Sequence, residues 1–143
     1  MVKRIRKLNT ELLIDGENLG AKKAQKIMKA ARSQGIIYES KVYSRQCDGY
    51  TKKWSEKAGE YGIHDIRLYG GPNKDKVDKK IKKDAKRTIS NHKNIDVICI
   101  ATNDGGYVDV IEELRSQGKR VVVIGTEKAA KSLRESCNCF IKI

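Results

Sequence analysis

The run Ile95-Asp96-Val97-Ile98-Cys99-Ile100-Ala101 constrains the fold more than any other stretch of the chain. It is almost continuously apolar, as expected of a strand buried on both faces, and such strands belong to parallel sheets covered by helices. Two further runs read as strands. Arg120-Val121-Val122-Val123-Ile124-Gly125 is one, and Leu12-Leu13-Ile14, which stops abruptly on Asp15, is the other.

Helical patterns separate these runs. Between residues 20 and 34, Ala21, Ala24, Ile27, Met28 and Ala31 recur at helical spacing, with Gly35 as the stop. Ile36, Ile37, Tyr38, Val42 and Tyr43 read as a second strand, and Tyr50, Trp54, Ala58 and Tyr61 as the face of a second helix. Trp54 is expected to anchor the core rather than to stack on a base. A third strand over Ile63 to Tyr69 ends at Gly70-Gly71-Pro72, the clearest loop signal. A third helix runs from about Val77 to Asn91. A fourth carries Tyr107, Val110, Ile111 and Leu114 and stops at Gly118. A short helix from Lys128 to Glu135 and a strand from Asn138 to Ile143 finish the chain. Strands and helices therefore alternate throughout. The expected fold is α/β: a three-layer sandwich with a mostly parallel central sheet. Residues 1–143 are expected to form a single domain, of which residues 1–9 are a basic lead-in.

The formal net charge is +13, from 31 Lys+Arg against 18 Asp+Glu. Such an excess points to nucleic acid first and to an anionic membrane surface second. No apolar run reaches the length of a membrane span and no signal-peptide pattern precedes the first strand, so a soluble, cytoplasmic protein is expected. The four cysteines, Cys47, Cys99, Cys137 and Cys139, form no CxxC pair, and His64 and His92 are the only histidines. This argues against a structural zinc site. Cys137 and Cys139 are expected on one face of the last strand, poorly placed to pair.

In this basic chain the carboxylates gather at strand ends. Asp15 and Asp104 each follow directly on a strand and open the loop to a helix. Strands one and four are the natural neighbours where strand order reverses, and ligands bind in the crevice at that point. Asp15 also has the plainer reading of a helix cap. In the third helix, Val77, Ile81, Ala85, Thr88 and Ile89 fall on one stripe, and every lysine from 79 to 87 falls off it. Asp78 and Asp84 lie on opposite shoulders, each roughly 50–70° from the stripe centre. Asp78 sits where the helix dipole favours a carboxylate, whereas Asp84 has Lys80 as a ready ion-pair partner. Crowded carboxylates at a core edge are costly unless something cationic offsets them. Mg²⁺ or Mn²⁺ would do so, and the chemistry that follows is phosphodiester hydrolysis.

The motifs Asp15-Gly16-Glu17-Asn18, Val77-Asp78-Lys79-Lys80-Ile81-Lys82-Lys83-Asp84 and Thr102-Asn103-Asp104-Gly105-Gly106-Tyr107 stand in that order, followed by Gly118 to Gly125. From Leu12 to about Ile141 the chain resembles the NYN domain, a branch of the PIN-like ribonuclease superfamily. The resemblance implies a metal-dependent ribonuclease in which Asp15, Asp78 and Asp104 ligate Mg²⁺ or Mn²⁺. Asp84 would support them or bind a second ion. Asn18 would hold the loop or a phosphate, and Thr102 would place a hydroxyl beside the site. Lys22, Lys23, Lys74, Lys76 and the lysines of the third helix are candidates to hold the RNA backbone. One position departs from the pattern. Gly106 stands where similar members often carry a second Asp, and Asp109, three residues on, is not expected to replace it.

Two rival classes follow. A non-catalytic RNA-binding module with a degenerate nuclease site is the first, and Gly106 is its motive. A Rossmann-like nucleotide or phosphate binder, or a small phosphatase, is the second. The absent glycine-rich fingerprint and the absent Asp-x-Asp after the first strand speak against it. The sequence does not fix the oligomeric state, and a homodimer is one candidate.

Overall fold

The computed structural model describes residues 7–45, 50–69, 75–91 and 94–143. Six strands, β1 (Asn9–Asp15), β2 (Ile36–Arg45), β3 (His64–Leu68), β4 (Val97–Ala101), β5 (Arg120–Gly125) and β6 (Cys139–Lys142), form one sheet in the order β3-β2-β1-β4-β5-β6. Every pairing is parallel. The helices are α1 (Ala24–Arg32), α2 (Tyr50–Tyr61), α3 (Lys76–Asn91), α4 (Val108–Ser116) and α5 (Lys131–Ser136).

Alternation along each central strand feeds two cores. On one face Leu12, Ile14, Val42, Val97 and Cys99 pack with Ile27 of α1 and Trp54 of α2. On the other, Leu13, Tyr43, Ile98 and Ile100 pack with Ile81 of α3, Ile111 of α4 and Leu133 of α5. β4 is buried at all its positions, which explains its unbroken apolar run. Trp54 is fully buried as the core anchor expected, and its indole donates to the Leu19 carbonyl at 2.9 Å. Truncating such a side chain costs about 3–5 kcal/mol.

Several boundaries differ from expectation. The first helix begins as a 3₁₀ turn, Ala21–Lys23, because extended Gly20 offers no side-chain cap and the backbone tightens instead. The fourth likewise opens with a 3₁₀ turn, Gly105–Tyr107. The short helix starts at Lys131 rather than Lys128. Cys137 precedes β6, so Cys137 and Cys139 pack against opposite cores rather than sharing a face. Cys47, His92 and the loop Gly70-Gly71-Pro72 lie outside the described residues.

A carboxylate cleft at the reversal of strand order

β1 and β4 are paired neighbours, Ile14 opposite Ala101, so the loops that leave them lie side by side. The chain reverses winding here: β2 and β3 extend to one side, β5 and β6 to the other. Beyond the carboxyl ends, Asp15, Glu17, Asn18, Asp75, Val77, Asp78 and Asp104 line a cleft of about 210 Å³.

Asp15 ends β1 almost fully buried. The Gly16 amide donates to the Tyr43 carbonyl at 2.9 Å, and a Cβ at Gly16 would stand 2.7 Å from that oxygen. Only glycine lets the chain turn so close to β2. Asp15 Oδ1 accepts from the Asn18 amide at 3.2 Å. Its Oδ2 accepts from the Thr102 hydroxyl at 3.3 Å and the Tyr107 phenol at 3.0 Å. Asp15 does not cap the next helix, whose N-cap is Gly20; its Oδ1 closes the turn at Asn18 instead. Burial pushes the Asp15 carboxyl up to about 6, against the pull of these donors. Burial and the Asp15 charge push the Tyr107 phenol far above its ordinary range, so it remains a donor.

Thr102, buried at the end of β4, joins the two acids. Its hydroxyl donates to Asp15 and accepts from the Asp104 amide at 3.2 Å. Asp104 caps the 3₁₀ turn, its Oδ1 accepting from the Gly106 amide at 2.9 Å. Asn18 holds the loops together, its Oδ1 accepting from the Asn103 amide at 2.7 Å.

Asp78 enters from the first turn of α3. Its Oδ1 is buried and makes no hydrogen bond, although the Lys82 ammonium stands 3.2 Å away as an ion pair. The same ammonium lies 5.7 Å from the centre of the Tyr107 ring. Gly106 separates Asp78 from Asp104. A Cβ there would be 3.3 Å from Asp104 Oδ1 and 3.6 Å from Asp78 Oδ2.

The cleft therefore gathers Asp15, Asp78, Asp104 and Asn18, with Thr102 directly behind. It does not gather Asp84. That carboxylate is buried farther along α3, where Oδ2 accepts from the Tyr43 phenol at 2.7 Å and Oδ1 pairs with Lys80 at 3.0 Å. Asp109 is exposed on α4 and outside the cleft lining. Lys22 and Lys23 follow Gly20 on the 3₁₀ turn and do not line the cleft. Lys76 donates to the Tyr69 carbonyl, and Lys74 lies outside the described residues. Two acidic cleft residues have no site role in the sequence reading: Glu17, which pairs with Arg45 at 2.5 Å, and Asp75, just before α3, which carries only a position as signal. Tyr107, behind the cleft, carries only its core spacing.

Among the described residues, no three acidic, histidine or cysteine side chains are arranged to hold a metal ion as they stand. The donor set nevertheless suits a hard cation. It is all carboxylate oxygen, one such oxygen is buried without a hydrogen bond, and Mg²⁺ commonly takes one or two carboxylates with water and phosphate completing its shell.

A parallel sheet with a carboxylate cleft at its reversal point defines a doubly wound α/β domain. The NYN domain family model matches residues 9–143, and the chain belongs to that family, a branch of the PIN-like nucleases whose members generally depend on divalent metal. The chain is similar in fold to a crystal structure of a protein of unknown function from Vibrio parahaemolyticus. The TM-score is 0.80 at 16% identity, covering 99% of this chain and 96% of that one. No curated protein matches the chain at a significant level. No helix among the described residues is long and apolar enough to cross a membrane.

Proposed function

We propose that the protein is a metal-dependent ribonuclease that hydrolyses RNA phosphodiester bonds at the cleft between the β1 and β4 loops. The observation that carries the reading is the convergence of Asp15, Asp78 and Asp104 on one cleft in a chain of net charge +13. Anionic side chains gathered inside a cationic protein fit a site that recruits a cation and a polyanion together.

Asp15, Asp78 and Asp104 would hold Mg²⁺ or Mn²⁺. When bound, a divalent cation supplies activation of water and neutralises charge on phosphoryl oxygens. The chain's own groups do the positioning. The Tyr107 and Thr102 hydroxyls fix the Asp15 carboxylate, and Thr102 also sets the Asp104 backbone. Asn18 holds the two loops in register. Asp84, engaged by Tyr43 and Lys80, would support α3 rather than touch substrate. Lys22 and Lys76 would hold the RNA backbone, as would Lys74, which lies outside the described residues.

Gly106 motivates a second reading, an RNA-binding module that lacks turnover for want of a carboxylate between Asp104 and Asp78. The test is incubation of the purified protein with labelled single-stranded RNA in Mn²⁺, Mg²⁺ or EDTA. Metal-dependent cleavage is expected. Binding without cleavage in every condition would establish the module instead.

A further inference from the structure

A second depression, of about 370 Å³, lies between the 3₁₀ turn and the middle of α2. Gly20, Ala21, Lys22, Lys23, Lys53 and Lys57 line it together with Glu56, and its lining is mainly apolar. Lys22 and Lys53 are exposed and have no carboxylate partner among the described residues, while Lys57 pairs with Glu60 at 3.1 Å. The result is a pocket with an apolar floor and a cationic rim.

Its position relative to the carboxylate cleft is fixed. Asn18 lines the cleft and Gly20 lines the depression, so the two sites share the Asn18-Leu19-Gly20 wall. Two residues of chain span at most about 7 Å. The indole of Trp54 holds that wall to α2 through the Leu19 carbonyl at 2.9 Å. A strand of nucleic acid passing over the cleft would reach the depression at an adjoining nucleotide.

We propose that this depression is a nucleotide subsite that takes one unpaired base of a single-stranded RNA whose neighbouring phosphodiester lies at the carboxylate cleft. The direction of the strand path rests on the ribonuclease reading above; the pocket chemistry does not. A flat base buries its faces on apolar surface while the lysine rim meets the adjoining phosphates. A base within a duplex is stacked and paired and is not free to enter. The subsite therefore selects single strands, whereas rim charge alone would not.

Gly20 gives a test that separates pocket from charge. Its backbone is extended, and a Cβ added there meets nothing within 4 Å. Gly20→Leu should fill the depression without strain and without changing any charge. Affinity is read by anisotropy in EDTA, with a labelled single-stranded oligouridine and an RNA duplex of the same length. Gly20→Leu should weaken single-strand binding severalfold, by excluding a base from the Ala21 and lysine-stem surface, and leave duplex binding unchanged. The Lys22→Ala/Lys53→Ala variant should weaken both and flatten the salt dependence, and Glu56→Gln should tighten both. Lys131→Ala, on α5 and outside the lining, is the control. Equal single-strand affinities for wild type and a folded Gly20→Leu would overturn the subsite and leave the ribonuclease reading standing. Failure of the wild type to bind either RNA would overturn both.

Discussion

The phenol of Tyr107 donates to Oδ2 of Asp15 at 3.0 Å, joining residues 92 apart in sequence behind the carboxylate cleft. Both partners are buried, so the bond is made to a charge in a poorly solvated place. Bonds of that kind contribute about 1.5–3 kcal/mol. Tyr107→Phe should cost about that much in urea unfolding at pH 7. It should cost less near pH 4, where Asp15 carries a proton in the folded state. Because the phenol holds the Asp15 carboxyl down, its removal should also raise the Asp15 titration above about 6. A cost that does not change with pH would show that the phenol only packs.

The raised Asp15 carboxyl makes stability depend on pH in the direction opposite to a salt-bridged acid. In the folded state it titrates at about 6, above its ordinary value of 3.8, so the native state holds the proton more tightly. Its contribution is complete below pH 3.8 and is lost as pH rises through 6, about 3 kcal/mol in all. In EDTA, Asp15→Asn should remove that slope between pH 4 and 7 and be the more stable protein at neutral pH. Parallel pH curves for the two proteins would refute the burial argument.

Asp104→Asn should leave the fold intact, because an amide oxygen still accepts from the Gly106 amide and keeps the cap. Unfolding free energy should move by less than about 1 kcal/mol, the scale of a cap. RNA cleavage should fall by more than about 100-fold, since even outer partners of metal ligands are worth 10–100-fold. A folded variant that cleaves normally would remove Asp104 from the site.

Gly106→Asp places a third carboxylate between Asp78 and Asp104. The Gly106 backbone has no positive φ, but the added Cβ sits 3.3 Å from one acid oxygen and 3.6 Å from another. In EDTA the variant should melt below Gly106→Ala, which has the same Cβ and no charge. Titration with Mn²⁺ should reverse that order and bind more tightly than wild type in calorimetry. Absence of metal heat in wild type and variant alike would leave the acids as caps and ion-pair partners.

Much of this architecture is legible in the chain because its signals are local. Val97 to Ala101 must be buried on both faces, and two acids at strand ends fix where the winding reverses. The misreadings share one cause: a pattern along one element says nothing about its neighbours. Helical angles set Asp78 and Asp84 on opposite shoulders of one stripe, and six residues of rise, about 9 Å, carry Asp84 away to Tyr43. Tyr107 matches the spacing of Val110, Ile111 and Leu114 and so reads as core, which its ring is. Only the paired strands reveal that its hydroxyl meets Asp15. The 3₁₀ openings of the first and fourth helices follow from caps at Gly20 and Asp104 rather than from periodicity.

The pairing of β1 with β4 also sets when the acidic centre can exist. Thr10 meets Val97, so more than two-thirds of these 143 residues must be synthesised before β1 gains its second neighbour. Asp15 emerges early but acquires Thr102, Tyr107 and Asp104 only once β4 has docked. Until then a nascent chain carries the lysines without the acids arranged to act with them. The chain is built in an order that presents its basic surface before it completes its acidic centre.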